Sequence, residues 1–385
     1  MDKVKMGVIG YGNMGTQHVS NIMAGKVPGM ELAAVCDISE RRLDAVKKKY
    51  PQIPVFNNAE DMYKSGLCNA VIIAVPHYDH PPLAIKAFEY GLNVITEKPA
   101  GVYTKQVKEM NEAAKKSGKL FGIMYNQRTR PVYQKLREMI RRGDFGHIKR
   151  ITWIITDWYR PQAYHDSSTW RSTWKTEGGG ALINQNPHQL DLWQWMFGMP
   201  DRIFAKASFG KYYDIEVEDD VMAYFEYDNG TTGEYITSTG ETPGTNRLEI
   251  ACDMGKAVIE NNTFMFYRNI ISEREHNKIN KEPFGKPECW ECKIPVDFNG
   301  TDHVGILRNF TDALLNGREL LARGEEGING LTISNAIHLS AWTGETVDIK
   351  SFPDDKFYEL LCEKIKNSKV VKKVQQIVVD NSNTY

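Results

Sequence analysis

The chain has 385 residues, 41% hydrophobic and 25% charged, which is globular composition and excludes a disordered or fibrous protein. At roughly 150 residues per domain, the length suggests two domains. With 48 Lys plus Arg against 49 Asp plus Glu, the net charge of −1 leaves no basic footprint for nucleic acid or an anionic membrane.

The expected elements begin with strands at Val4–Ile9, Glu31–Cys36, Ala70–Val75, Asn93–Thr96 and Leu120–Met124. Helices at Gly15–Met23, Glu40–Lys49, Pro82–Tyr90 and Lys105–Lys116 separate them. Strands that are apolar almost throughout and alternate with helices predict an α/β domain over residues 1–127. Its parallel sheet is covered on both faces and doubly wound by right-handed crossovers. After about residue 145 the strands lengthen: Ile148–Trp158, Ile203–Ser208, Asp220–Tyr227, Thr232–Thr239, Arg247–Cys252, Lys256–Glu260 and Thr263–Arg268. Turn residues such as Asp228-Asn229-Gly230 join them, predicting a large, open, mostly antiparallel sheet. Helices near Gln189–Phe197, His303–Asn316 and Leu331–Thr343 complete an α+β domain over residues 128–360. Residues 361–385 read as a loosely attached C-terminal extension.

The six cysteines, Cys36, Cys68, Cys252, Cys289, Cys292 and Cys362, follow no disulfide framework. Cys289 and Cys292 make a lone C-x-x-C without a second pair to complete a zinc site. A redox pair is weighed against two incidental surface-strand thiols, and the second reading is favoured; no metal is expected. No run of about 18 apolar residues is present, so no membrane span is expected. The first residues enter a strand directly, without a signal-peptide pattern, and a cytoplasmic protein is expected.

The sharpest motif is Gly10-Tyr11-Gly12-Asn13-Met14-Gly15. A lone G-x-G-x-x-G is weak, but here a strand precedes it, a helix follows, and an acid closes the second strand, the context of a Rossmann dinucleotide site. Gly10 permits the tight turn, Gly12 lets the backbone approach a pyrophosphate, and Gly15 allows close helix–strand packing. The helix N-terminus supplies unpaired N–H donors. The acid is Asp37, 22 residues after Gly15. Its carboxylate can accept from both adenosine ribose hydroxyls and repels a 2′-phosphate, favouring NAD. Arg41 and Arg42, just downstream, keep NADP open as the lesser alternative.

Glu97-Lys98-Pro99 follows the strand Asn93–Thr96, and a later run reads Gly178-Gly179-Gly180-Ala181-Leu182-Ile183-Asn184-Gln185-Asn186-Pro187-His188-Gln189-Leu190-Asp191. With the glycine fingerprint, these ordered motifs resemble the glucose–fructose oxidoreductase / inositol dehydrogenase / MocA family over residues 4 to 345. The resemblance implies a Rossmann domain followed by an open sheet whose outer face forms the interface of a homodimer or homotetramer. It also implies a tightly held nicotinamide cofactor and a sugar-like carbinol as substrate. Lys98 is similar to the family's active-site lysine, with Glu97 and Pro99 its neighbours, Pro99 often preceded by a strained peptide. His188 matches the histidine that gives or takes a proton. Asn184 stands where inositol-dehydrogenase-like members carry Asp, whereas nucleotide-sugar dehydrogenases of the family also show Asn-Gln there. Asp191 fits a structural place on the helix.

Chemically the set suffices without a metal. Hydride leaves a carbinol carbon for the nicotinamide, and the hydroxyl proton needs a base. Either Lys98, its pKa lowered by the cofactor's positive ring, or His188, which titrates nearest neutrality, can take that proton. Val75, Pro76 and His80 follow the Ala70–Val75 strand at its carboxyl end, where open α/β sheets bind ligands. His80 resembles the family's cofactor-side histidine, with a helix N-cap cluster as an equal reading. Asn126 is a candidate contact to substrate or nicotinamide ribose. From the aromatic segment Trp153–Trp174, the pocket candidates are Tyr159, Arg160, Tyr164 and Trp170, since rings suit sugar C–H faces and arginine suits a carboxylate, phosphate or sulfonate. Trp193 and Trp195 read as core.

These residues predict an NAD-dependent dehydrogenase of a sugar, sugar acid, inositol or sugar derivative. The alternative is oxidation-driven glycoside cleavage with NAD recycled, which needs a further acid or base such as Tyr164 or His165. A purely NAD-sensing protein is disfavoured, because a sensor needs neither Lys98 nor His188.

Overall fold

The computed structural model describes residues 3–368, so residues 369–385, most of the expected C-terminal extension, lie outside the described residues. Its first sheet holds β1 (Val4–Ile9), β2 (Met30–Cys36), β3 (Val55–Phe56), β4 (Ala70–Ile73), β5 (Asn93–Thr96) and β6 (Phe121–Ile123). They pair in the order β3-β2-β1-β4-β5-β6, every neighbour parallel. Helices α1 (Asn13–Met23), α2 (Glu40–Lys49), α3 (Ala59–Lys64), α4 (His80–Glu89) and α5 (Thr104–Ser117) connect the strands. All four residues of β4 are fully buried, which is why that strand reads as a continuous apolar run. The two-residue β3 and the helix α3 were not expected; the Asn58 side chain starts α3 by accepting from the backbone N–H groups of Glu60 and Asp61. The strand order reverses between β1 and β4, so the carboxyl ends of these strands frame a crevice.

Past β6, helix α6 (Pro131–Arg142) leads into a nine-stranded sheet. Its strands are β7 (Ile148–Ile155), β8 (Arg202–Phe209), β9 (Glu218–Glu226), β10 (Thr232–Ser238), β11 (Asn246–Cys252), β12 (Gly255–Glu260), β13 (Thr263–Asn269), β14 (Cys289–Lys293) and β15 (Val347–Asp348). The order is β14-β13-β12-β11-β7-β10-β9-β8-β15, antiparallel except for β7 beside β10. A one-turn helix α7 (Gln162–His165) and the longer α8 (Pro187–Phe197) intervene between β7 and β8, and α9 (Glu273–Ile279) precedes β14. Cys289 and Cys292 sit three apart on β14, an odd spacing that points them to opposite faces. That geometry does not suit a disulfide.

Alternation along the strands gives this sheet one buried face. Trp153 on β7, Phe225 on β9 and Tyr235 on β10 pack on Trp193 of α8, with ring centroids 4.9–6.5 Å apart. The opposite face exposes Phe204, Met222 and Tyr224 among Thr152, Glu234 and Glu249.

The chain then returns to the first sheet through α10 (Asp302–Asn316), α11 (Gly327–Thr343) and α12 (Asp354–Lys366). Phe310 lies against Gly122 of β6, and Ile123 donates its N–H to the Ala322 carbonyl at 3.2 Å. The expected boundary at residue 361 falls inside α12. That helix is docked rather than loose: Phe357 and Leu361 are buried, and Asp354 accepts from Thr104 and Lys108 of α5 at 2.5 Å each.

One buried cation ties these pieces together. Arg128, 1% exposed, bonds Asp191 on α8 through both carboxylate oxygens at 2.6 and 2.8 Å. Its Nη1 also donates to the Leu321 carbonyl at 3.0 Å and to Glu326 at 2.5 Å. Burial alone would lower the pKa of Arg128, but Asp191 and Glu326 raise it, so the guanidinium stays charged. Removing one partner of such a pair leaves a bare buried charge. Asp191→Leu should therefore lower stability to chemical denaturation by about 3–5 kcal/mol, and Arg128→Met/Asp191→Leu should recover much of the loss. A single variant as stable as the parent protein would contradict this role.

Candidate active site

The crevice at the carboxyl ends of β1 and β4 opens into a cleft of about 1250 Å³. Its floor is the turn after β1. Gly10 has φ +90°, and a Cβ there would sit 2.2 Å from the Ala74 carbonyl oxygen. A Cβ on Gly15 would meet the Gly10 oxygen at 1.7 Å, so α1 can start against the turn only as glycine. At Gly12 a Cβ would meet nothing within 4 Å, leaving a bare stretch of backbone beside the first N–H groups of α1. Tyr11, Asn13 and Met14 line the same rim. This cradle suits a pyrophosphate.

Asp37 closes β2, 4% exposed, on the cleft wall. It accepts from the Tyr11 N–H at 2.7 Å and the Ser39 N–H at 2.9 Å, so local backbone fixes where its carboxylate points. Arg42 approaches it at 3.3 Å, while Arg41 lines the cleft without contacting it. Val75 and Pro76 also line the cleft. His80 does not: it is fully buried, its ring between the Pro99 carbonyl at 2.7 Å and the Val75 carbonyl at 2.9 Å. The expected cofactor contact gives way to a brace, because burial leaves the ring only backbone partners, and these join the end of β4 to the corner after Lys98.

Lys98 stands two residues past β5, before the cis peptide to Pro99. Its ammonium lines the cleft and donates to the Asn184 carbonyl at 2.8 Å. Burial, with Arg171 and Arg160 nearby and Glu97 and Glu177 opposing them, lowers its pKa to about 8. Behind it, Glu97 meets His18 at 2.7 Å, and the His303 ring lies 5.7 Å from His18. Burial would raise the Glu97 carboxyl, but His18, His303 and Lys98 together hold it below its ordinary value.

Asn184 lies on a π-helical turn, Ala181–Gln185. Glu218 holds the start of that turn, accepting from the N–H groups of Gly180 and Leu182 at 2.9 Å each. The Asn184 amide donates to Glu177, whose other oxygen accepts from the Ser172 N–H. Burial raises Glu177 to about 7 against the pull of Arg171. A carboxyl group thus stands behind Asn184.

His188 opens α8, 1% exposed, with its ring edge toward Tyr125 at 6.4 Å. Neither ring nitrogen has a hydrogen-bond partner, and burial together with Lys98 pushes its pKa well down, so the ring is neutral. It does not line the cleft, and neither does the buried Asn126, whose amide atoms are also unpartnered. The expected convergence of Lys98 and His188 on the cleft is therefore a layering. Lys98 is at the wall and His188 behind it, because Asp191, one turn along α8, is drawn inward by Arg128.

Arg160, Tyr164 and Trp170 line the far end of the cleft. Tyr159 does not; it is 41% exposed, and its carbonyl accepts from Arg160 at 3.0 Å. Sequence reasoning missed Arg171, Gln185 and His77, which line this end as well. Gln185 and Arg171 both donate to the Tyr164 hydroxyl. His77 carried a signal, standing in the same post-β4 run as His80. Arg171 lay between two tryptophans in the segment already singled out.

Residues 4–125 match a family model described as oxidoreductase family, NAD-binding Rossmann fold, and residues 133–258 match the GFO/IDH/MocA C-terminal domain. The scyllo-inositol 2-dehydrogenase (NAD(+)) of Bacillus subtilis is 26% identical over 247 residues, 61% of this chain and 67% of that protein. A glycosyl hydrolase family 109 protein of Shewanella putrefaciens is 28% identical over 233 residues, 55% of this chain and 50% of that one. The WlbA dehydrogenase of Chromobacterium violaceum, solved with NADH and UDP-GlcNAcA, superposes with a TM-score of 0.77 at 24% identity, over 90% of this chain and 96% of that one. At that identity the likeness establishes the fold. With several curated relatives the match spans only about half of the relative's own length. The cofactor is NAD, and the bare Gly12 backbone and the Asp37 carboxylate are the groups that fit it. Asp37 predicts that NAD binds at least about tenfold tighter than NADP, a difference of roughly 1.4 kcal/mol. Asp37→Ala should narrow the gap in equilibrium titrations of both dinucleotides; equal affinities in the unaltered protein would refute the preference.

Proposed function

The chain belongs to the GFO/IDH/MocA family of oxidoreductases, and from that membership we propose that it oxidises or reduces a carbinol carbon of a sugar, sugar acid, inositol or sugar derivative. The observation that carries this reading is Lys98: an amine with its pKa lowered to about 8, on the wall of the cleft that holds the dinucleotide cradle. NAD, when bound, supplies the hydride acceptor. The residues of the chain do the rest. Asn184 and Lys98 hold each other at 2.8 Å and orient the substrate hydroxyl, and the neutral amine of Lys98 takes its proton. Glu97, kept ionised by His18, favours reprotonation and keeps Lys98 from losing its charge outright. His188, neutral and without competing hydrogen bonds, is the second proton holder behind the wall. Tyr164 and Trp170 offer ring faces to the sugar.

A second reading, oxidation-driven glycoside cleavage with NAD recycled, is favoured by one finding, the likeness to a glycosyl hydrolase family 109 protein. Tyr164, bonded by Arg171 and Gln185 on the cleft wall, is the acid it would use; His165 is buried away from the cleft against Ser172. Repeated release of phenol from an aryl glycoside without added NAD supports this reading, and NAD reduction by free sugars supports the first.

Lys98→Ala and His188→Ala should each lower kcat by about 10²–10⁴-fold with NAD affinity nearly preserved. Because they serve one proton path, the double variant should lose far less than the product of the two losses. Since the neutral amine is the acceptor, oxidation should speed up as pH rises through about 8, and Lys98→Met should remove that limb. Single variants keeping most of their kcat would refute the assignment.

We also infer that the outer face of the nine-stranded sheet, where Met222 is 61% exposed beside Phe204 and Tyr224, joins copies of the chain into a dimer or tetramer. Met222→Asp should lower the mass seen by light scattering without loss of secondary structure. A monomeric parent protein would refute the interface.

A further inference from the structure

The substrate end of the cleft is built as a stack in which rings and cations alternate. The Arg160 guanidinium lies 5.4 Å from the Trp158 ring and 5.2 Å from the Tyr164 ring. The Arg171 guanidinium lies 4.4 Å from that same Tyr164 ring and 4.7 Å from the Trp170 ring. All five side chains line the cleft. Two cations thus share one tyrosine, no farther apart than the sum of their distances to it.

Such an arrangement has a cost that the chain itself does not offset. Like charges at this spacing repel, and ring faces compensate each cation only in part. Neither arginine forms an ion pair with a carboxylate among the described residues. Glu177, whose carboxyl Arg171 influences, has its oxygens engaged by Asn184 and Ser172. The direct bonds of the two guanidinium groups go to neutral oxygens, the Tyr159 carbonyl and the Tyr164 hydroxyl. Each keeps a buried Nε without a partner. Lys98 adds a third cation that is bonded only to a carbonyl. The other end of the cleft differs, since there Arg42 is paired with Asp37. Rings on two sides restrict each guanidinium while leaving N–H donors such as Nε free, and a guanidinium can grip an oxyanion through two parallel hydrogen bonds.

We propose that the carbinol substrate carries an anionic group, a carboxylate or a phosphate, and that Arg160 and Arg171, clamped by Trp158, Tyr164 and Trp170, seat it. This assignment rests on the oxidoreductase reading and narrows its substrate class. The neutral part of the sugar then lies toward Lys98, and the anion sets which carbon faces it.

The test is calorimetric titration of matched sugars into the NADH-loaded protein. Glucose is compared with glucuronate and with glucose 6-phosphate, and galactose with galacturonate and with galactose 1-phosphate. At least one charged member should bind about tenfold or more tightly than its neutral partner. Whether the carboxylates or the phosphates gain identifies the source of the anion. Added salt should erode the gain. Arg160→Gln and Arg171→Gln should each collapse the charged-to-neutral ratio while NADH affinity holds, and Arg171→Lys should restore it only in part, since an ammonium lacks the paired donors. Equal binding within every pair, or no binding by any charged member, overturns the proposal, as does a ratio that survives both Gln variants. NADH formation is read separately. Neutral sugars oxidised while charged ones fail to bind would sink the anion site alone, whereas charged sugars that bind without ever reducing NAD would sink the oxidoreductase reading alone.

Discussion

Arg128 carries a full charge where water cannot reach it, and its three partners come from two separate parts of the chain. Asp191 belongs to α8 in the second domain, and Leu321 and Glu326 belong to the segment between α10 and α11 that has returned to β6. The cost of burying a guanidinium is offset only when all of its donors are met at good geometry, so these parts have one mutual placement rather than many. Because Asp191 lies one turn after His188, the same bond that stabilises the junction also decides how deep His188 lies. It fixes in turn where the preceding π-helical turn presents the Asn184 carbonyl to Lys98. The layering of Lys98 and His188 is a consequence of the domain junction.

The cleft has an electrostatic gradient built by residues far apart in sequence. At the adenosine end, the Asp37 carboxylate is held by two backbone N–H groups and one arginine. At the other end, burial, aided by Arg171 and Arg160, lowers the pKa of Lys98 to about 8. Glu97, ionised through His18, limits that fall. A lysine that is partly neutral near pH 7 is a usable proton acceptor, and the cations that assist burial in making it so are also those that would attract an anionic substrate.

Local chemistry was legible in the sequence. The turn after β1 needs glycine at 10 and 15 for reasons confined to a few neighbouring atoms, and Asp37 is placed by the end of its own strand. Seven strands of the second sheet, β7 to β13, could be placed to within a few residues, because one-sided burial writes a period of two into the chain; β14, exposed along nearly its whole length, and the two-residue β15 carry no such period and were missed. Helix α6 was missed although it carries its own signs: Pro131 at its start, Gly143 after its end, and Val132, Leu136 and Met139 buried along one face. What could not be read was tertiary. Nothing near His80 says that its ring will be taken by the carbonyls of Val75 and Pro99, nor near Tyr159 that the chain turns it outward. The bond between Lys98 and Asn184 spans 86 residues, and the stacked arginines become visible only when the segment from Trp158 to Arg171 is folded against the cleft.

In the proposed reaction a carbinol hydrogen leaves the substrate as hydride for NAD at the Lys98 end of the cleft. This transfer is tested most directly with a sugar deuterated at the reacting carbon, mixed with the NAD-loaded protein, followed by mass analysis of the cofactor. Deuterium should appear in the reduced nicotinamide and the transfer should slow with the deuterated sugar, both effects being lost in Lys98→Met. Turnover of the sugar with no deuterium ever reaching the cofactor would contradict hydride transfer to NAD.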